Sequence, residues 1–109
     1  MRDIIRIKEV CDKHFNINIS KKTRVREYAD ARKMFFKLSR ELLRISVQQI
    51  GEVVDVNHST VVVGTKRLDD LLTFDKDSQE NYLILRDKCI GVVKQLNNPF
   101  AKYLGKEDI

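Results

Sequence analysis

Asn57, His58, Ser59 and Thr60 form a run of four polar side chains immediately before an apolar stretch. Each side chain is short or planar and can both donate and accept hydrogen bonds, and the Thr60 methyl can meet an apolar group. Side chains of this kind read the edges of DNA bases when they face outward from the first turn of a helix. Taken alone, the run is explained equally well by helix capping, and His58 by an ordinary exposed histidine.

A second functional feature is the positive charge of residues 20–44, which hold nine Lys or Arg against three Asp or Glu. The net charge of the whole chain is +5, so this stretch holds more than the entire excess. A solvated helix face usually mixes both signs, and we therefore favour a surface that binds a polyanion. The candidate residues in it are Lys21, Lys22, Arg24, Arg26, Arg32, Lys33 and Arg40. Further along, Lys66 and Arg67 are placed to reach phosphates rather than bases.

Two short-range signals predict the elements that position the polar run. Residues 46–49, Ser-Val-Gln-Gln, form a capping box that opens a short helix through Val54. Asn57 can cap a second helix beginning at His58, because the apolar or inward residues after it are separated by 4, 3 and 4 positions. These are Val61, Thr65, Leu68 and Leu72. Two helices joined by about three residues are the signature of a helix-turn-helix.

The remaining sequence predicts helices on both sides of this motif. Apolar residues at helical spacing indicate one helix over residues 3–15, a long helix with a stripe from Tyr28 to Leu42, and a last helix from Asp77 or Ser78 to Leu96. Residues 16–20 are expected to form an extended connector that inserts isoleucines into the core. The prediction is an all-α domain over residues 1–96 with a C-terminal tail over residues 97–109.

Several classes of protein are disfavoured by the composition. No apolar run approaches the roughly 20 residues of a membrane span, and residues 1–4 lack the apolar core of a secretion signal, which predicts a cytoplasmic protein. Cys11 and Cys89 lack the spacing of a zinc site, and a disulfide between them is geometrically allowed but disfavoured in a reducing compartment. No phosphate-binding loop or nucleophile motif is present. We therefore expect no enzyme activity, cofactor, metal or nucleotide.

Three segments resemble one known family. Two short runs separated by four positions resemble the signature of the C-terminal DNA-binding domain of the bacterial chromosomal replication initiator DnaA. They are residues 50–52, Ile-Gly-Glu, and residues 57–61, Asn-His-Ser-Thr-Val. Residues 24–32 are similar to that family's basic loop and the start of its long helix, and residues 40–42, Arg-Glu-Leu, resemble its Lys/Arg-Glu-Leu. The resemblance spans roughly residues 4–96, with the helices in the same order.

The resemblance implies a compact bundle of five to six helices containing a helix-turn-helix, of the kind found in Trp repressor and in the DnaA C-terminal domain. It also implies roles for single residues. Arg24 matches the arginine that enters the minor groove, and Asn57 takes the place of a base-reading aspartate. His58, Ser59 and Thr60 match residues that contact bases or adjacent phosphates. The positions at or near backbone contacts are Arg32, Lys33, Arg40 and Lys66.

The sequence also departs from the family pattern at four places. The turn before the recognition helix is one residue shorter, with Asp55 and Val56 where glycines are usual. The amide of Asn57 replaces a carboxylate. A carboxylate accepts a hydrogen bond from cytosine N4, whereas an amide is suited to the edge of adenine. Asp30 replaces an arginine. Gly64 lies inside the recognition helix, at a cost of about 1 kcal/mol relative to alanine.

The sequence therefore predicts a sequence-selective module that binds double-stranded DNA, associated with the nucleoid and acting in replication initiation, in its regulation or in transcription control. Replication proteins are candidate partners, and a monomer is favoured although the sequence does not determine the oligomeric state. The alternative is a protein-protein adaptor or anti-repressor that keeps the fold. It would dock its partner through an exposed apolar patch on the helix bearing Val47, Val53 and Val54.

Overall fold

Each predicted helical segment is helical in the computed structural model, which describes residues 2–97. The described residues contain no β-strand, and the prediction of an all-α domain with five to six helices is confirmed with five. The last helix includes Asn97, and the rest of the predicted tail lies outside the described residues. In chain order the helices are α1 (Arg2–Phe15), α2 (Arg26–Leu43), α3 (Val47–Val53), α4 (His58–Leu72) and α5 (Lys76–Asn97).

The connector between α1 and α2 forms turns rather than the predicted extended segment. Asn16 adopts the left-handed conformation with φ 55°, and the Ile17 N–H donates to the Asp12 carbonyl at 3.0 Å. The Asp12 carboxylate accepts from the Ile19 N–H at 2.9 Å. Local side-chain bonds of this kind compete with extended backbone, which explains the difference. The prediction that Ile19 enters the core is confirmed, since the residue is fully buried.

α2 is the central helix and packs against all four others. Ala31, Phe35 and Leu38 of its predicted stripe are fully buried. Contacts on several sides also bury residues outside that stripe, which a one-sided amphipathic pattern does not predict. These additional residues are Met34, Phe36 and Ser39.

The helix-turn-helix is formed by α3, the turn at residues 54–57 and α4. The predicted capping box is confirmed: the Ser46 hydroxyl accepts from the Gln49 N–H, and the Gln49 side-chain oxygen accepts from the Ser46 N–H, both at 3.2 Å. The turn folds back tightly on α3, where the Val56 N–H donates to the Gly51 carbonyl at 2.8 Å. The Val56–Gly51 bond thus ties the turn to α3 just before α4 begins.

Gly64 lies where α4 packs on α2. A Cβ atom built on Gly64 would lie 3.0 Å from Cδ2 of the Phe36 ring, tighter than most such contacts. The glycine therefore allows the buried aromatic ring to pack directly on the α4 backbone. Its low helix propensity is offset by this packing.

Two cysteines lie where α1 packs on α5. Cys11 and Cys89 are both fully buried, and both are free thiols. The hydrogen bond with Cys89 and burial raise the pKa of the Cys11 thiol. Buried in this way, they pack as small apolar side chains on the faces of their helices.

A buried tyrosine joins α5 to α2. The Tyr82 hydroxyl donates to the Glu41 carboxylate at 2.6 Å, and the residue is 6% exposed. Burial and this hydrogen bond raise the pKa of Tyr82. The Arg-Glu-Leu motif at residues 40–42 therefore has a structural function, in which Glu41 holds α5 against the central helix.

We expect Tyr82→Phe to lower the free energy of unfolding by about 1 kcal/mol at neutral pH, because it removes the bond to Glu41 but keeps the ring. The raised pKa favours the protonated hydroxyl in the folded state, so this contribution is present below the ordinary tyrosine pKa and declines at higher pH. Urea unfolding at neutral pH and above pH about 10 measures both effects. Equal stability of the two proteins at neutral pH would contradict the assigned role.

Candidate nucleic-acid interface

The amino-terminal end of α4 is both capped and exposed. Asn57 caps the helix, since its side-chain oxygen accepts from the Ser59 N–H at 3.0 Å. The same oxygen accepts from the Ser59 hydroxyl at 2.9 Å. Asn57, His58, Ser59 and Thr60 are nevertheless all exposed. Capping therefore leaves this end of the helix open to a ligand.

A groove of about 330 Å³ separates the start of α4 from α2. Ser59 and Thr60 lie along it, and Arg67 lines it further down α4. Its apolar wall includes Val63, which is 46% exposed and was not singled out in the sequence. A signal was available, because Val63 lies about 200° around the helix from the buried Val61. The groove places an apolar surface beside the polar run.

The segment of residues 20–25 forms the basic loop, and Arg32 holds it in place. The Arg32 guanidinium donates to the Ile19 carbonyl at 2.7 Å, to the Lys21 carbonyl at 2.5 Å and to the Thr23 carbonyl at 3.1 Å. A forked guanidinium suits such multiple contacts, since it carries five N–H groups in fixed geometry. The family resemblance implies a position for Arg32 at or near the DNA backbone; in the structure its guanidinium contacts the loop itself.

The basic loop lies directly against the turn of the helix-turn-helix. The Lys22 ammonium donates to the Asp55 backbone carbonyl and lies 3.3 Å from the Asp55 carboxylate. A cavity of about 400 Å³ is lined by Lys22 and Arg24 of the loop on one side and by Val56 of the turn on the other. Val56 and Arg32 also line the groove beside α4. The two regions identified in the sequence are therefore neighbours on one surface.

The cations of this surface differ in their surroundings. Arg24 is exposed, and its guanidinium has no hydrogen-bond or ion-pair partner among residues 3–94. Asp30 lies 3.6 Å from both Arg26 and Lys33 and reduces their net charge. The Lys21 ammonium lies 5.8 Å from the centre of the Tyr28 ring. Arg24 is thus the loop cation most available to an external anion.

Two predicted residues lie away from the basic loop. Arg40 is near the opposite end of α2, about 21 Å along the helix axis from Arg26. Its guanidinium donates to the Ile45 carbonyl at 2.8 Å, which binds the end of α2 to the segment before α3. Lys66 is exposed on α4, two turns beyond His58. Arg40 and the basic loop belong to one basic stretch of the sequence, but the length of α2 separates them in the fold.

The described residues contain neither a membrane-spanning helix nor a candidate metal site. No helix within residues 2–97 is long and apolar enough to cross a membrane. The same part of the chain contains no group of three or more His, Cys, Asp or Glu side chains that could hold a metal ion.

Comparisons with known proteins identify the family of this domain. Residues 4–68 match the family described as the bacterial dnaA protein helix-turn-helix. The chromosomal replication initiator proteins DnaA of Tropheryma whipplei strains Twist and TW08/27 are each 32% identical over 77 residues, which cover 68% of this chain and 16% of the relative. The chain thus spans a small part of the length of these relatives, and no solved structure matches it significantly. The matched residues include α3, the turn and α4 as far as Leu68, and the chain belongs to the bacterial DnaA helix-turn-helix family, a family of DNA-binding domains.

Proposed function

We propose that this chain binds double-stranded DNA selectively, with the start of α4 in the major groove and Arg24 in the adjacent minor groove. It acts by occupying a site on DNA rather than by catalysis. The relatives that it matches are named as chromosomal replication initiators, so we propose a role in replication initiation, in its regulation or in the control of a promoter. Double-stranded DNA is the partner, without a bound nucleotide.

One observation carries the proposal: the basic loop and the turn before α4 are in direct contact through Lys22 and Asp55. A duplex that received α4 in its major groove would therefore present its backbone and next minor groove to the loop. Minor-groove arginines prefer narrow, A·T-rich sequence, where the negative potential is strongest. The exposed Arg24 guanidinium has the charge and the shape for this contact.

Side-chain chemistry suggests which residues contact bases, which contact phosphates and which act indirectly. His58, Ser59 and Thr60 are exposed at the start of α4 and are proposed to contact base edges or adjacent phosphates. Lys66 and Arg67, one to two turns further on, are proposed to bind phosphates. Arg32 and Arg40 are proposed to act indirectly, since each donates to backbone carbonyls that position the surface. The positive electrostatic potential of this surface has further contributions from Lys21, Lys22, Arg26 and Lys33.

The burial of the valines on and after α3 argues against the adaptor alternative. It requires an exposed apolar patch of valines on and directly after α3. Val54 is 1% exposed, and Val47 and Val53 are partly buried and pack against the core. These side chains stabilise the domain instead of forming a docking patch.

Selection of duplexes from a randomised pool of about 9–12 base pairs by the purified chain, followed by sequencing, tests the proposal. We expect one enriched sequence, bound with an affinity that falls steeply with salt because phosphate contacts release counterions. Equal binding of random and selected duplexes would contradict selective DNA binding.

A charge change in the turn provides an independent prediction. Asp55 has a positive φ of 56°, and its side chain is 93% exposed beside Lys22. Asp55→Asn should keep the backbone conformation, because Asn tolerates the left-handed region, while it removes a negative charge from the proposed DNA surface. We expect binding of the selected duplex to tighten roughly two- to fivefold at low salt, with less gain at high salt.

Fluorescence anisotropy at about 50 and 200 mM salt measures this effect. The matched control is Asp87→Asn on α5, which removes the same charge from an exposed helix position and should leave the affinity nearly unchanged. An equal gain in both variants would show that only the net charge of the protein matters, and no gain at position 55 would place the turn away from DNA.

A further inference from the structure

The side-chain amide of Asn57 presents only one of its two groups to a ligand. Its oxygen accepts from the Ser59 backbone N–H at 3.0 Å and from the Ser59 hydroxyl at 2.9 Å. A backbone N–H can only donate, so the atom facing it must be the oxygen and not the nitrogen. An amide oxygen has two lone pairs, and both are engaged.

The other groups of this pair are left for an external partner. The Asn57 nitrogen carries two N–H groups, neither of which has a partner among residues 3–94, and the residue is exposed. The Ser59 hydroxyl has given its single proton to Asn57 and retains only acceptor capacity. The start of α4 therefore presents a donor at position 57 and an acceptor at position 59.

We infer that Asn57 determines specificity as a hydrogen-bond donor that selects a base with an acceptor on its major-groove edge. This inference rests on the proposed function. The acceptable partners are O6 or N7 of guanine, N7 of adenine and O4 of thymine. Cytosine is rejected, because its major-groove edge offers only the N4 donor.

The capped geometry changes the expectation drawn from residue type alone. An Asn side chain contacts adenine with two bonds only if its oxygen accepts from N6 while its nitrogen donates to N7. In this structure the oxygen is occupied by the cap, so the two-bond adenine contact would require the cap to break. Asn is among the strongest N-cap residues, and loss of the cap would weaken the start of the helix that reads the bases.

Asn57→Asp is the most direct test, because Asp caps a helix as well as Asn does but has no N–H to donate. The selection from a randomised duplex pool is repeated with this variant, and preferences are compared position by position. The added negative charge lowers overall affinity, so the relative base preference is the readout. We expect one position at which the wild type excludes cytosine and the variant favours it, a change of roughly fivefold to tenfold.

Ser59→Ala provides a second variant with a different expectation. It removes the hydroxyl that donates to the Asn57 oxygen but keeps the backbone N–H of the cap. One lone pair of that oxygen becomes available, and the preference at the same position should shift toward adenine. Thermal unfolding of both variants checks that they retain the fold of the wild-type chain.

The outcomes separate this inference from the proposed function. If the wild type selects no sequence at all, DNA selectivity itself is wrong. If it selects a sequence but Asn57→Asp leaves every position unchanged, the amide contacts phosphate or solvent and the inference is overturned. Selection of cytosine by the wild type at the position altered in Asn57→Asp would overturn it as well.

Discussion

Arg24→Ala is expected to weaken binding of the selected duplex about tenfold to a hundredfold and to reduce its preference over random DNA. The Arg24 guanidinium is exposed, lines the cavity beside the turn and has no partner among residues 3–94. Its removal should therefore cost binding without loss of stability, because no contact within the described domain is broken. Anisotropy with selected and random duplexes, together with a urea melt, measures the two quantities separately.

Two controls distinguish selective reading from simple loss of charge. Lys88→Ala removes one positive charge from α5, where the ammonium lies 2.9 Å from His14 of α1 and has no hydrogen bond or ion pair with residues 20–25. It should change selected-duplex affinity far less than Arg24→Ala. Arg24→Lys keeps the charge but loses the weakly hydrated planar group, so binding to random DNA should persist while selectivity falls. Equal effects of Arg24→Ala and Lys88→Ala would contradict the minor-groove role.

Gly51→Ala is expected to lower the free energy of unfolding by about 1–3 kcal/mol, despite the higher helix propensity of alanine. A Cβ atom at this position would lie 2.5 Å from the Val56 backbone carbonyl oxygen, a distance that real Cβ atoms do not adopt. Relief requires the turn to move away from α3, because the obstacle is backbone rather than a flexible side chain. The same movement displaces Asn57 and the start of α4, so DNA selectivity should decline with stability.

The matched control is Gly91→Ala in α5. A Cβ atom there would meet nothing within 4 Å, and the position is exposed. This substitution should stabilise the chain by about 1 kcal/mol through helix propensity alone. Urea unfolding of both variants gives the comparison, and the account of the turn would be wrong if Gly51→Ala were as stabilising as Gly91→Ala.

Local sequence signals predicted the helix-turn-helix well. The capping box at residues 46–49 and the Asn57 cap depend on side chains a few positions apart, so spacing alone identifies them. The fold class followed from helical periodicity in the same way. The exposure of Ser59 is also readable from helix geometry, because this residue lies about 200° around the helix from the buried Val61.

Contacts between distant segments were not predictable from the same signals. Arg32 is one of several cations in a basic stretch, and only the folded structure reveals that it donates to the Ile19 carbonyl and to two carbonyls of the basic loop. The Lys22 contact with Asp55 joins residues 33 positions apart. Gly64 was expected only to weaken its helix, whereas packing on Phe36 gives the glycine a positive function. Such features depend on how helices meet.

Titration of the labelled 109-residue chain with its selected duplex, followed by backbone amide NMR, tests most directly whether one duplex contacts both the basic loop and the start of α4. We predict that amide signals of residues 21–26 and 57–60 shift together, with one dissociation constant at one duplex per chain, while exposed positions of α5 remain unchanged. Shifts confined to only one of these two segments, or concentrated on α5, would contradict the account.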